Sequence, residues 1–352
     1  MRWRRVKFFS VSLAGEGTEL RWTFTFRLAV TVADYARPGP AGADGAASVT
    51  EITMLVSTRA RGARSETSPS LIGSLPDRAA MEAFVKRLGR KRAEAATDQA
   101  HDLLDEASES GSARAQIAAV FAALQTSPLC TDAYLAVAQA FEPGAERVDI
   151  LERAVAAGEL ALGPKRFAEM EGEFWGWFET RPYMRARHFL GLALDAAGRH
   201  AEAAETYADM LRLNPNDNQG VRYLLLDQLL LLDRRAEAAA LIKRYKDDGA
   251  AHWLFDKALL AFRTGGDTAA ARKALAAAIA QNPHVAPFLL GRKRLPKEGP
   301  QFVGWGDKAE AVAYVLDAGR LWTAAPAALA WLAAAVPASP PKPKPAARRR
   351  PT

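Results

Sequence analysis

Two stretches of this chain carry more polar side chains than local structure requires. The first, Glu179-Thr180-Arg181-Pro182-Tyr183-Met184-Arg185-Ala186-Arg187, gathers three arginines within seven residues. The second, Asn214-Pro215-Asn216-Asp217-Asn218-Gln219-Gly220-Val221-Arg222-Tyr223, is rich in amides and ends on a cation beside a phenol. One capping residue suffices to start a helix. Thr180 serves the first stretch, with Pro182 in the opening turn, and Asn216 or Asp217 serves the second. The surplus has two readings: a hydrogen-bonded network that fixes neighbouring helices, with Arg222 paired to a carboxylate, or a set of donors aimed at an anionic ligand. Arg181, Arg187, Asn218, Arg222, Tyr223 and Trp253 are the expected binding or network residues.

Catalytic chemistry is not visible in the same way. Five histidines, His101, His188, His200, His252 and His284, are scattered, and none has the two-histidine spacing of a metal site. The single cysteine, Cys130, excludes a thiolate cage and an intramolecular disulfide, and it follows a helix end where a small buried residue fits. There is no Gly-x-Ser-x-Gly elbow, phosphate loop or dinucleotide fingerprint. Asp247-Asp248 falls at a helix end and reads as a hydrated turn. The expectation is therefore no catalytic residue, no metal and no cofactor, hence not an enzyme.

The elements that must position these side chains are helical. Alanine is heavily used in the central and C-terminal parts, which favours closely packed helices. Asp77 caps a helix through Met81, Phe84, Val85 and Leu88, and Lys86 to Arg92 make it locally basic, as a solvated face would be. Helical patterning resumes at 95–107, turns at 108–112 and returns over 113–125 to Pro128. A second hairpin runs 133–141 and 147–162, closed by Gly163-Pro164. The excess stretch 165–179 holds Phe167, Met170, Phe174, Trp175, Trp177 and Phe178. So many aromatic rings favour an irregular helical insert packed into the core, with an exposed peptide-binding patch as the sharper alternative.

Three further hairpins follow between about 184 and 285. Leu190, Gly191 and Leu194 face Ala203 and Tyr207; Leu225, Leu226 and Leu229 face Ala238 and Ile242; Ala258, Leu259 and Phe262 face Ala271 and Leu275. Ala203, Ala238 and Ala271 lie 35 and 33 residues apart, and Pro215 and Pro283 lie 68 apart. Residues 310–316 and 321–335 form a last pair, a cap for the stack.

The ends differ from this body. In residues 1–75, Trp22, Phe24, Phe26, Leu28, Val30 and Val32 alternate with Thr23, Thr25, Arg27, Ala29 and Thr31, the two-residue period of a half-buried strand. Runs at 49–57 and 6–13 are β-rich, and 38–47 is a Pro/Gly/Ala loop. This extension reads either as a small β-meander or as a poorly ordered segment, the latter including sequence upstream of a start at Met81. Residues 337–352 are Pro, Ala, Lys and Arg, a composition for a disordered basic tail.

Net charge is +7, but +4 lies in residues 1–75 and +5 in 337–352, which leaves −2 for 76–336. A helical body of that sign argues against a nucleic-acid platform, and a nucleic-acid-associated protein using its basic ends is the third and weakest reading. No run of 18 apolar residues occurs, so no membrane span is expected. The charged start resembles that of a signal peptide, but Phe8 to Ala14 is short and holds two serines, so the cytoplasm is the expected location.

Gly191 to Pro215 reads Gly-Leu-Ala-Leu, then Ala203, Tyr207 and Asn-Pro, which matches the 34-residue tetratricopeptide pattern. The runs Phe174 to Arg187, Leu213 to Tyr223 and Asn282-Pro283-His284-Val285 with Leu289-Leu290-Gly291 resemble a group of uncharacterised bacterial and plant tetratricopeptide proteins. The Asn-Pro-His-Val run, with Glu310-Ala311 and Tyr314, is also similar to the C-terminal region of the suppressor-of-tumorigenicity-seven family. The resemblance covers about 95–335 and implies a helical-repeat protein, with no reaction attached.

The expected fold is all-α: a tetratricopeptide-like α-solenoid over 76–336, with the extension before it and the tail after. The expected function is a non-catalytic interaction scaffold that binds a partner protein's peptide or helix on a concave face. The alternative is an enzyme or small anionic-ligand binder using the Arg/Asn clusters at 181–187 and 216–223.

Overall fold

The computed structural model describes residues 71–109 and 112–336, together with the backbone of three strands before residue 60. The loop expected at 38–47, the tail expected at 337–352 and the side chains of the alternating run at 22–32 lie outside the described residues. The strands, β1 (Val6–Ala14), β2 (Glu19–Val30) and β3 (Ser48–Arg59), pair antiparallel in the order β1-β2-β3. From residue 71 onward the described chain is helical, with successive helices packed together. It divides into two compact units, residues 1–221 and 222–352. Among the described residues, no helix is long and apolar enough to cross a membrane.

The helical part of the first unit opens with a short turn, α1 (Leu71–Ser74), and α2 (Arg78–Leu88). Asp77 caps α2 as its sequence position demands, accepting from the Ala80 amide at 2.8 Å. Met81 is fully buried in this helix. Gly89, in the left-handed region at φ 75°, ends α2 and lets α3 (Arg90–Glu109) start at once. The following α4 (Ala113–Thr126) packs on α3, and the two are tied by the buried hydroxyl pair Thr97 and Ser127 at 2.8 Å.

Next come α5 (Thr131–Gln139) and α6 (Ala145–Glu169). Cys130 sits at the start of α5 with no exposed surface, and burial pushes its thiol up to about 12. The break expected at Gly163-Pro164 is present, but it is a kink: Gly163 is non-helical at φ 68°, and helix resumes from Pro164 to Glu169. Proline fits the first turn of the new segment, where its missing N–H has no partner to lose.

The aromatic insert is only partly core. Phe174 is fully buried, with its ring edge-on to Phe167 at 4.8 Å and to Tyr183 at 6.0 Å. Trp177, the extended residue between two short 3-10 turns at 174–176 and 178–180, and Phe178, which opens the second, are 44% and 76% exposed, which corrects the expectation of an insert packed into the core.

The hairpin α7 (Arg181–Ala196) and α8 (His200–Leu213) completes the unit. Gly191 is required by close approach: a Cβ there would lie 2.3 Å from Tyr207 Cε1, and Tyr207 has no exposed surface.

The second unit holds most of α9 (Val221–Leu231), then α10 (Arg235–Arg244), α11 (Ala251–Gly265), α12 (Ala269–Gln281), α13 (Val285–Leu289), α14 (Lys308–Thr323) and α15 (Pro326–Ala335). Ala203, Ala238 and Ala271, the spaced small residues, each have no exposed surface.

The turns repeat too. After α7, Gly198 takes a positive φ and the Arg199 amide reaches back to Leu194 O at 2.8 Å; after α9, Asp233 takes φ 55° and the Arg234 amide reaches Leu229 O at 2.8 Å. Both are 6→1 closures that satisfy an orphan carbonyl at the helix end. Each arginine then grips the acid three residues on, Glu202 and Glu237, at 2.6 Å through Nε.

Candidate functional site

Polar groups converge in the second unit, where α9, α11 and α14 meet. Tyr223 and Asp227 are four apart on α9, and His252 and Asp256 are four apart on α11, so each pair shares a helix face. Asp248, in the turn before α11, organises the outer end. One of its oxygens accepts from the Ala250 amide at 2.9 Å. The other accepts from Arg222 Nε at 2.7 Å and from the Tyr223 hydroxyl at 2.8 Å. The Arg222 guanidinium also lies over the Tyr223 ring at 4.4 Å and the Tyr245 ring at 5.6 Å. Burial works against the Asp248 charge, but the Ala250 amide, Tyr223 and Arg222 outweigh it and hold the carboxyl below its usual range. Tyr223 is pushed up to about 12, mainly by burial and then by Asp248. The turn at 247–248 is therefore not simply hydrated: the Asp248 side chain is 9% exposed and ion-paired.

The inner end is drier. The His252 ring lies between Tyr223, centroid 5.2 Å away, and Tyr314, 5.1 Å away. Its Nε2 stands 2.9 Å from Asp227 Oδ1 and 3.4 Å from Asp256 Oδ2. Asp256 Oδ1 accepts from the Tyr314 hydroxyl at 2.8 Å, which in turn accepts from Trp322 Nε1 at 2.7 Å. Asp256 Oδ2 is buried and receives no hydrogen bond. Burial raises Asp227 to about 7 against the pull of His252. Burial opposes the imidazolium, but the two carboxylates prevail and His252 sits well above its ordinary value. The three ligating atoms of Asp227, His252 and Asp256 all lie within 4.8 Å of one another, so these residues could hold a cation.

The first unit offers a different feature, a cavity of about 480 Å³ lined by α2, α3, α6 and the start of α7. Val85, Leu129, Leu162 and Tyr183 give it apolar walls, Arg90, Glu94, Asp98 and His101 give it polar ones, and the exposed Phe178 also lines it. The cations here are committed: Arg90 Nη1 donates to Ala161 O at 3.1 Å, and Arg166 pairs with Glu94.

The six residues singled out from the sequence fall in several places. In the first unit, Arg181 donates to Trp175 O at 3.3 Å and covers the Phe178 ring at 4.2 Å. Arg187 pairs with Asp209 at 2.8 Å and donates to the Tyr183 hydroxyl at 3.0 Å. Asn218 is exposed. In the second unit, Arg222 and Tyr223 form the outer end of the network. Trp253 is buried, edge-on to Tyr223 at 5.8 Å and to Tyr245 at 6.2 Å, so it belongs to a network and not to a surface.

Asp227, Asp256 and Trp322 are not singled out by the sequence reading, and Tyr314 enters it only through the family resemblance. The available signal was Asp227-Gln228 set inside Leu224-Leu225-Leu226 and Leu229-Leu230-Leu231, a charge in a helix that is otherwise apolar. No family model matches the chain, and no curated protein matches it.

Proposed function

We propose that the chain is a non-catalytic, tetratricopeptide-like solenoid that binds a partner protein's peptide, with an apolar side chain of that peptide anchored in the 480 Å³ cavity of the first unit. The observation that carries this reading is Phe178: a large ring 76% exposed at an apolar-walled cavity, held in place by the Arg181 guanidinium stacked on it. An apolar anchor pocket with polar groups around it is the common form of peptide recognition. The anionic-ligand alternative is less well supported, because Arg187 and Arg222 are already paired with Asp209 and Asp248. A ligand would have to displace a carboxylate and leave it partly desolvated. The cytoplasm remains the proposed location.

Peptides selected by display against the full chain test the reading. The expected result is enrichment of a shared aromatic or large aliphatic residue, with affinity at least tenfold weaker for Phe178→Ala and unchanged for Arg222→Ala. Peptides without a shared apolar residue, or equal affinity for Phe178→Ala, would overturn it. Phe302, Val303 and Trp305, between α13 and α14, are 87%, 55% and 72% exposed. Loss of binding in Trp305→Ala alone would move the site there.

A further inference from the structure

We infer that Asp227, His252 and Asp256 form a binding site for a divalent first-row transition cation, zinc being the representative ion. The donors are one imidazole nitrogen and two carboxylate oxygens, a set that suits such ions. The two separations from Nε2 fit as well. A cation bound at about 2.0–2.2 Å from each donor places neighbouring donors roughly 2.8–3.6 Å apart. Nε2 to Asp227 Oδ1 at 2.9 Å and Nε2 to Asp256 Oδ2 at 3.4 Å fall in that range, and all three atoms lie within 4.8 Å of one another.

Hydrogen bonding alone leaves this cluster incomplete. Nε2 carries at most one proton and lies closer to Asp227 Oδ1, at 2.9 Å, than to Asp256 Oδ2, at 3.4 Å, so Oδ2 has no well-formed hydrogen bond although Asp256 has no exposed surface. A buried acceptor without a partner is costly. One cation satisfies all three atoms together. It also balances charge: two carboxylates and a neutral imidazole cancel a doubly positive ion.

The surroundings resemble the outer shell of a metal site. The second oxygen of Asp256 is held by the Tyr314 hydroxyl, itself held by Trp322 Nε1. Tyr223 and Tyr314 flank the imidazole and fix its plane. Asp227 comes from α9 and the other two donors from α11, so the ion ties two helices and binding reads out as stability.

The test uses the full chain, stripped with a chelator and titrated with zinc. The expected results are one zinc per chain after dialysis and a melting midpoint that rises with zinc but not with magnesium. Asp256→Asn, which keeps the side chain's shape, is expected to bind zinc at least tenfold more weakly, and His284→Gln to bind it unchanged. Should Asp256→Asn fail to fold, the unaltered chain still decides: zinc should shift the His252 ring resonances, identified by their proximity to the Tyr314 ring. No retained zinc, equal binding by a folded Asp256→Asn, or unshifted His252 resonances would overturn the assignment and leave a carboxylate pair sharing a proton with His252.

Discussion

Gly191→Ala adds a single methyl group, and the structure says where it goes. The new Cβ would lie 2.3, 2.7 and 3.0 Å from Cε1, Cζ and Cδ1 of Tyr207. Carbon atoms in contact sit about 3.5–4.0 Å apart, so the ring must retreat by more than about 1 Å. Tyr207 has no exposed surface, and its neighbours on the hairpin, Leu190, Leu194 and Ala203, are themselves buried. Overpacking of this kind costs about 1–3 kcal/mol. Alanine's better helix propensity returns at most about 1 kcal/mol. The net expectation is a loss of about 1–2 kcal/mol, which in a protein of 352 residues lowers the melting midpoint by roughly 1–3 °C. Circular dichroism at 222 nm gives the midpoint, and a double-mutant cycle with Tyr207→Leu isolates the cause. With the ring gone, Gly191→Ala should become neutral or stabilising. A midpoint that does not fall in the single variant, or a cost that persists in the Tyr207→Leu background, would refute the close-contact argument.

The fully buried Cys130 thiol, pushed up to about 12, should stay unreactive toward a thiol-specific disulfide reagent at pH 8 in the folded chain and react promptly in urea; fast reaction without denaturant would contradict its burial. Glu310 accepts from the amides of Ala251 and Gly306 at 2.9 and 2.8 Å and from Gln281 and Asn282 at 3.2 and 3.0 Å. Glu310→Ala leaves several of these donors without a partner and should cost about 3 kcal/mol or more, seen as a lower urea midpoint; an unchanged midpoint would contradict it. Tyr183 is pushed up to about 12, mainly by burial, from an ordinary value of 10.0. A folded pKa above the unfolded one means its contribution is full below about pH 10 and is lost as pH rises toward 12, by about 1.4 kcal/mol per pH unit at most. Absorbance at 295 nm should therefore show Tyr183 ionising later in the folded chain than in Tyr183→Phe difference spectra of the unfolded chain; coincident titrations would remove the effect.

The helical hairpins were legible because they rest on local rules. Asp77 is a cap by type and position, and the alanines at 203, 238 and 271 are small because two helices touch there, so spacing alone reports them. Prolines were less decisive. Gly163-Pro164 reads as an end, yet proline is as suited to the first turn of a helix as to the residue after one, and α6 resumes across it. The aromatic insert shows the limit of composition. Phe174 and Phe178 are alike in sequence context, but only Phe174 meets Phe167 and Tyr183, and an irregular backbone has no period from which to read which ring turns inward.

The site was harder, for a related reason. A partner carboxylate for Arg222 could be expected from the surplus of polar groups around it, but its identity could not, since Asp248 lies 26 residues away and shares no helix with it. Cation placement is a matter of local sequence; its neutralisation is a matter of tertiary contact. The same holds for His252 and Asp256. Four residues apart on a helix, they look like an ordinary surface pair, and nothing in α11 alone says that their shared face is dry. What says so lies on another helix. Asp227 sits among leucines on α9, and a carboxylate in that setting must find a cation, a proton or a donor inside the protein. The setting of Asp227 marks it as a buried charge from the sequence alone, while its partners on α11 are fixed only by the fold. Searches keyed to paired histidines pass over the three-residue cluster, because its second and third donors are the aspartates that a helical sequence offers in abundance.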